Sequence, residues 1–64
     1  MIVGYKLIEE ETQNVVAQWG GIFGVTPDIP DPVKLPNGDR VHGVSLNHPF
    51  NGYVLKTLEM DAPQ

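Results

Sequence analysis

The chain has 64 residues, with eight acidic against four basic side chains, a formal net charge of −4 and no cysteine. A domain of this size buries only about 60% of the surface its unfolded chain exposes, and the missing cysteines remove both disulfides and thiolate zinc sites as staples. Association with a copy of itself or with another protein is the expected remedy, whereas nucleic-acid phosphates and anionic membranes are repelled by the acidic balance.

Ile2 to Ile8 is rich in β-branched and aromatic residues, with Val3, Tyr5 and Leu7 on one face and Gly4 and Lys6 on the other, the alternation of a first strand. The same N-terminal residues lack the basic, apolar, small-residue order of a secretion signal. No run approaches the roughly 20 apolar residues that span a bilayer, so a soluble protein without a secretion signal is expected.

Glu9-Glu10-Glu11-Thr12-Gln13-Asn14 is polar throughout, and Val15, Ala17 and Trp19 then share a face. A hairpin of Ile2–Ile8 with Val15–Trp19 follows, Trp19 pointing inward. One helix over residues 9–19 is the alternative, because Ile8, Thr12, Val15, Val16 and Trp19 also fit a helical stripe that Gly20-Gly21 would stop. The hairpin is preferred: Val15-Val16, Thr12 and Asn14 are mediocre helix formers and no clean N-cap precedes Glu9.

Gly20, Gly21, Gly24, Pro27, Pro30 and Pro32 make residues 20–32 a loop of extended character. Ile22, Phe23, Val25 and Ile29 suggest that this loop packs over the sheet.

Val33 to Val41 carries the strongest local signal. Pro36 and Asn37 suit the centre of a type I turn, and Gly38 supplies the left-handed residue that closes a three-residue loop with a bulge. That loop sets Leu35 against Asp39, Lys34 against Arg40 and Val33 against Val41. Val33, Leu35 and Val41 then share the core face, and Lys34, Arg40 and His42 the other. A two-residue Asn37-Gly38 loop would mix the faces.

A second turn region, Asn47-His48-Pro49-Phe50-Asn51-Gly52, precedes a last strand over Tyr53–Met60, apolar on both faces as in a central or interface-covered strand. Asp61-Ala62-Pro63-Gln64 reads as a frayed polar tail. The expected fold is therefore mainly β: one domain over 1–64, a single small sheet of about four to five short antiparallel strands built from hairpins.

No chemistry gathers in this pattern. His42 and His48 lack metal-binding spacing, Asp28 and Asp31 have no evident cleft, the one serine, Ser45, sits in no nucleophile motif, and the glycines at 20, 21 and 24 precede no Lys-Ser/Thr pair. Neither an enzyme nor a cofactor is expected. Phe23 and Phe50, on Gly/Pro-rich loops, are candidate partner contacts because a rigidly held aromatic ring buries much area at low entropic cost. Lys34, Arg40 and His42 are the candidates for docking an acidic partner.

The order Glu11-Thr12-Gln13-Asn14-Val15-Val16, Trp19-Gly20-Gly21, Ile29-Pro30-Asp31-Pro32, Leu35-Pro36-Asn37-Gly38-Asp39, Val41-His42 and Asn51-Gly52-Tyr53 resembles small phage and prophage proteins from tail and tail-fibre gene neighbourhoods. The resemblance covers most of the chain. It implies a structural or assembly accessory protein that binds itself or a larger virion protein. The alternative is a small phage-encoded inhibitor whose acidic face occupies a basic site on a host defence protein.

Overall fold

The alternating N-terminal residues form β1 (Ile2–Glu9) of a computed structural model that describes residues 1–22 and 28–60. β2 (Val15–Gly20), β3 (Val33–Lys34), β4 (Arg40–Val41) and β5 (Tyr53–Glu59) complete a mainly β, antiparallel fold with no helix among the described residues. The strands divide into two sheets instead of the single one expected, a three-stranded sheet ordered β2-β1-β5 and the separate hairpin β3-β4.

Residues 9–19 are hairpin. The Glu9 N–H donates to the Asn14 carbonyl at 2.9 Å and the Gln13 N–H to the Glu9 carbonyl at 2.8 Å, so helical bonding is confined to one turn. Gln13 ends that turn at φ 63°. Thr12 Oγ1 donates to Glu9 Oε1 at 3.1 Å, and the Gln13 side-chain amide donates to the Glu10 carbonyl at 2.7 Å. Side chains of this kind compete for backbone groups and so favour turns over helices.

Register in β2 departs from strict alternation. Tyr5 lies opposite Trp19 and Leu7 opposite Ala17, but Ile8 lies opposite Val15, which leaves one extra residue on β2. Such a bulge re-aims the strand. Ala17 and Trp19 pack against the core as their spacing implies, whereas Val15 is 53% exposed and Val16 takes the place against the core expected of it.

The β3-β4 hairpin has the three-residue loop that binary pattern selects. The Leu35 N–H donates to the Asp39 carbonyl at 2.8 Å and the Gly38 N–H to the Leu35 carbonyl at 2.9 Å, with Gly38 at φ 94°. Val33 pairs with Val41 and Lys34 with Arg40. Val33 and Leu35 are buried with Tyr5, Leu7 and Leu55, and Val41 packs beside them. At about 2 kcal/mol for each large apolar side chain removed from water, docking this hairpin supplies a sizeable share of the stability a small domain has.

β5 is an edge strand and not a central one; β1 occupies the centre. Its apolar residues on both faces have separate uses. Leu55, opposite Leu7, belongs to the main core, while Val54, opposite Ile8, is buried with it on the other side of the sheet. Asn51 and Gly52, at φ 49° and 84°, form the tight two-residue turn that Asn-Gly favours, and Phe50 and Tyr53 exchange both backbone hydrogen bonds at 2.8 Å.

Gly4 marks a close approach. A Cβ there would collide with the Trp19 carbonyl oxygen and come within 2.9 Å of the Gly21 nitrogen, because the chain crosses over Gly4 as it leaves β2. Beyond this crossing Ile22 and Ile29 do not cover the sheet as expected: they are 68% and 41% exposed. Phe23 and Val25, and the tail Asp61-Ala62-Pro63-Gln64, lie outside the described residues.

Candidate functional site

Three surfaces can carry function, and each is set by a strand or turn already placed. The first is the outer face of the β3-β4 hairpin. Lys34 and Arg40 stand opposite one another there, both exposed, because the loop length fixes their register. His42 follows at the base of the hairpin, where its Nδ1 lies 3.2 Å from Asp31 Oδ1. The same carboxylate oxygen accepts the Gly43 N–H at 3.3 Å. Lys34 and Arg40 are thus gathered as their spacing implies, while His42 is engaged by an acid of its own chain.

A second opposed pair was not legible in the sequence. Lys6 faces Lys56 across β1 and β5 on the sheet face away from the core. All four basic side chains of the chain therefore occupy two directly opposed like-charge pairs. Among the described residues no Lys or Arg forms an ion pair with a carboxylate. Like charges directly opposite each other on a sheet are destabilising.

The acidic end of the molecule is the second surface. Glu9, Glu10 and Glu11 at the β1–β2 turn meet Asn51, Gly52 and Tyr53 around an open cleft of about 540 Å³. The Glu10 N–H donates to the Gly52 carbonyl at 2.9 Å, tying the two turns together. Among the described residues no three Asp, Glu or His side chains are grouped so as to hold a metal ion.

The third surface is the outer edge of β2. Ladder bonds alternate sides along a strand, and Gly21 N donating to the Val3 carbonyl at 2.9 Å sets the phase in which Ala17 and Trp19 face β1. The backbone groups of Gln18, between them, face outward, while the bulge at Val16 and the φ of 77° at Gly20 interrupt the alternation on either side. Val15-Val16-Ala17-Gln18-Trp19-Gly20 contains no charge and no proline, so the bulge at Val16 is the one device on this strand that blunts an edge. The β5 edge is treated differently, since the Asn47 N–H donates to the Leu55 carbonyl at 2.9 Å and Phe50 pairs with Tyr53.

Of the two loop aromatics, Phe50 is half-buried, packs against the core and holds the β5 edge through its backbone, so it is not a freely presented recognition residue. Phe23 lies outside the described residues. No described helix is long and apolar enough to cross a membrane. The chain matches no protein-family model, no curated protein and no solved structure.

Proposed function

We propose that this chain is a non-enzymatic protein-binding module, a structural or assembly accessory of the phage type that assembles on itself or on a larger virion protein. The observation that carries the reading is the unequal treatment of the two sheet edges: β5 is bonded by residues 47–50, and β2 presents outward backbone groups on a neutral, β-branched and aromatic strand. An open edge of that composition accepts a further strand, with main-chain hydrogen bonds supplying affinity. The thin core and the resemblance to tail-neighbourhood proteins point the same way. Isotope-labelled protein titrated with purified virion proteins, or with itself, is expected to shift the amide of Gln18 first. Shifts confined to the acidic turn would refute an edge-mediated module.

The grouping of Glu9, Glu10 and Glu11 at one end favours a second reading, an inhibitor that occupies a basic site on a host protein. Such a complex weakens steeply with salt. Recovery of the chain with assembled virions, and not with a basic host protein, would eliminate it.

A further inference from the structure

We infer that the Lys34–Arg40 pair of one copy docks on the Glu9-Glu10-Glu11 turn of a second copy, a head-to-tail contact separate from the β2 edge. The contact adds to the edge-mediated module proposed above and does not depend on it.

The hairpin fixes a bare cation pair. Leu35 and Asp39 share the ladder bond beside the turn, so the next pair, Lys34 and Arg40, is of the non-hydrogen-bonded kind, with Cα atoms about 4.5 Å apart and side chains close together. The two acids nearest along the chain are held elsewhere. Asp31 Oδ1 lies 3.2 Å from His42 Nδ1 and accepts the Gly43 N–H at 3.3 Å, and Asp39 Oδ2 accepts from the Asn37 side-chain amide at 3.0 Å. Arg40 brings the planar fork that engages carboxylates through two parallel bonds. The other cation pair is a poorer seat, since Lys6 is half-buried in the central strand.

The acidic turn is the complement. Its open cleft of about 540 Å³ is lined by three glutamates and by no basic residue. Glu10 and Glu11 are exposed, and of the three carboxylates only that of Glu9 takes a hydrogen bond among the described residues, from Thr12. The bond from Glu10 N–H to the Gly52 carbonyl, and that from the Gln13 side-chain amide to the Glu10 carbonyl, hold the turn in shape. Little order is therefore lost on docking. Within one copy the turn and the hairpin pair form no ion pair, which leaves each for another molecule. A nucleic acid suits the cation pair less well, because the rest of a chain of net charge −4 repels a long polyanion.

Each copy offers one hairpin and one turn, so the contact is heterologous and repeats from copy to copy. Exposed ion pairs contribute little individually. The contact therefore forms at higher concentration than edge binding, and it gains most where copies are already held side by side.

Sedimentation equilibrium at low salt, from micromolar to millimolar concentration, tests this with Arg40→Glu, Glu11→Lys and Lys56→Glu. The wild type is expected to associate and to return to monomer as salt rises. Arg40→Glu and Glu11→Lys should each weaken association about tenfold, and an equimolar mixture of the two should regain it, because the intact turn of the first meets the intact hairpin of the second. Lys56→Glu makes the same change in net charge as Arg40→Glu and should keep the association. Carbodiimide coupling of mixed light and heavy-isotope wild type should join Lys34 to Glu10 or Glu11 between copies. A wild type that stays monomeric overturns the contact, as does association that Arg40→Glu leaves unchanged or that the mixture fails to restore. The edge-mediated module is decided separately, by whether virion protein shifts the Gln18 amide. Should Arg40→Glu or Glu11→Lys unfold, the presence or absence of the Lys34 cross-link decides.

Discussion

Lys6 stands directly opposite Lys56 in the β1–β5 ladder, two like charges held side by side by a register that the flanking pairs Leu7–Leu55 and Ile8–Val54 dictate. Burial of Leu7 and Leu55 in the core, and of Ile8 and Val54 on the other face, outweighs the repulsion. At about 25 cal/mol per Å² of apolar area, each of these side chains contributes about 2 kcal/mol, against a fraction of a kcal/mol for an exposed like-charge pair.

Reversing one of these charges should therefore stabilise the domain. Lys56→Glu converts the pair to opposite charges, and urea denaturation is expected to show a gain of about 0.5–1 kcal/mol at low salt. The gain should shrink as salt is added. An unchanged midpoint at low salt would mean that the two side chains splay too far apart to interact.

Gly38 offers a test in which packing has no part. Its φ is 94° and no atom lies within 4 Å of the position a Cβ would take, so a substitution meets strain from the backbone alone. Gly38→Val should cost about 1 kcal/mol or more, read as a lower melting temperature. Gly38→Asn should cost less, because asparagine visits the left-handed region more readily.

Gly4 makes the opposite case, since its backbone is buried in β1 and the obstacle is the crossing chain. Gly4→Ala drives a methyl group into the Trp19 carbonyl and the Gly21 nitrogen, neither of which can rotate away. A loss of about 3 kcal/mol, the upper range for overpacking, would leave little stability in so small a domain. A well-dispersed NMR spectrum with a wild-type melting point would disprove the crossing.

Leu35 measures how much the separate hairpin matters. It is 2% exposed and packs with Leu7 and Leu55, so Leu35→Ala should cost about 2–4 kcal/mol by lost transfer energy and the cavity left behind. Lys34→Ala, one position away on the outer face, should change stability by less than about 0.5 kcal/mol. Comparable losses in the two variants would contradict the assignment of faces.

What the sequence determined by itself was everything governed by neighbours along the chain. Pro36-Asn37-Gly38 fixes a turn, the turn fixes the pairing of Val33 with Val41, and that pairing sorts Lys34 and Arg40 from Val33 and Leu35 without reference to the rest of the molecule. The hairpin of β1 with β2 was legible for the same reason, as was the inward aim of Tyr5, Leu7 and Trp19.

Tertiary structure decided what depends on residues far apart. Lys6 and Lys56 are separated by most of the chain, so nothing local announces their opposition; it follows from β5 choosing β1 as its neighbour. The bulge that exchanges Val15 for Val16 is a compromise between Leu7–Ala17 above it and the Glu9–Asn14 turn below. Phe50 read as a loop aromatic because its six-residue turn region is polar, yet the Asn51-Gly52 reversal folds it back onto the core. The division into two sheets depends on burial between distant segments: Val33 and Leu35 leave water by lying across Tyr5, Leu7 and Leu55, contacts that no local pattern announces.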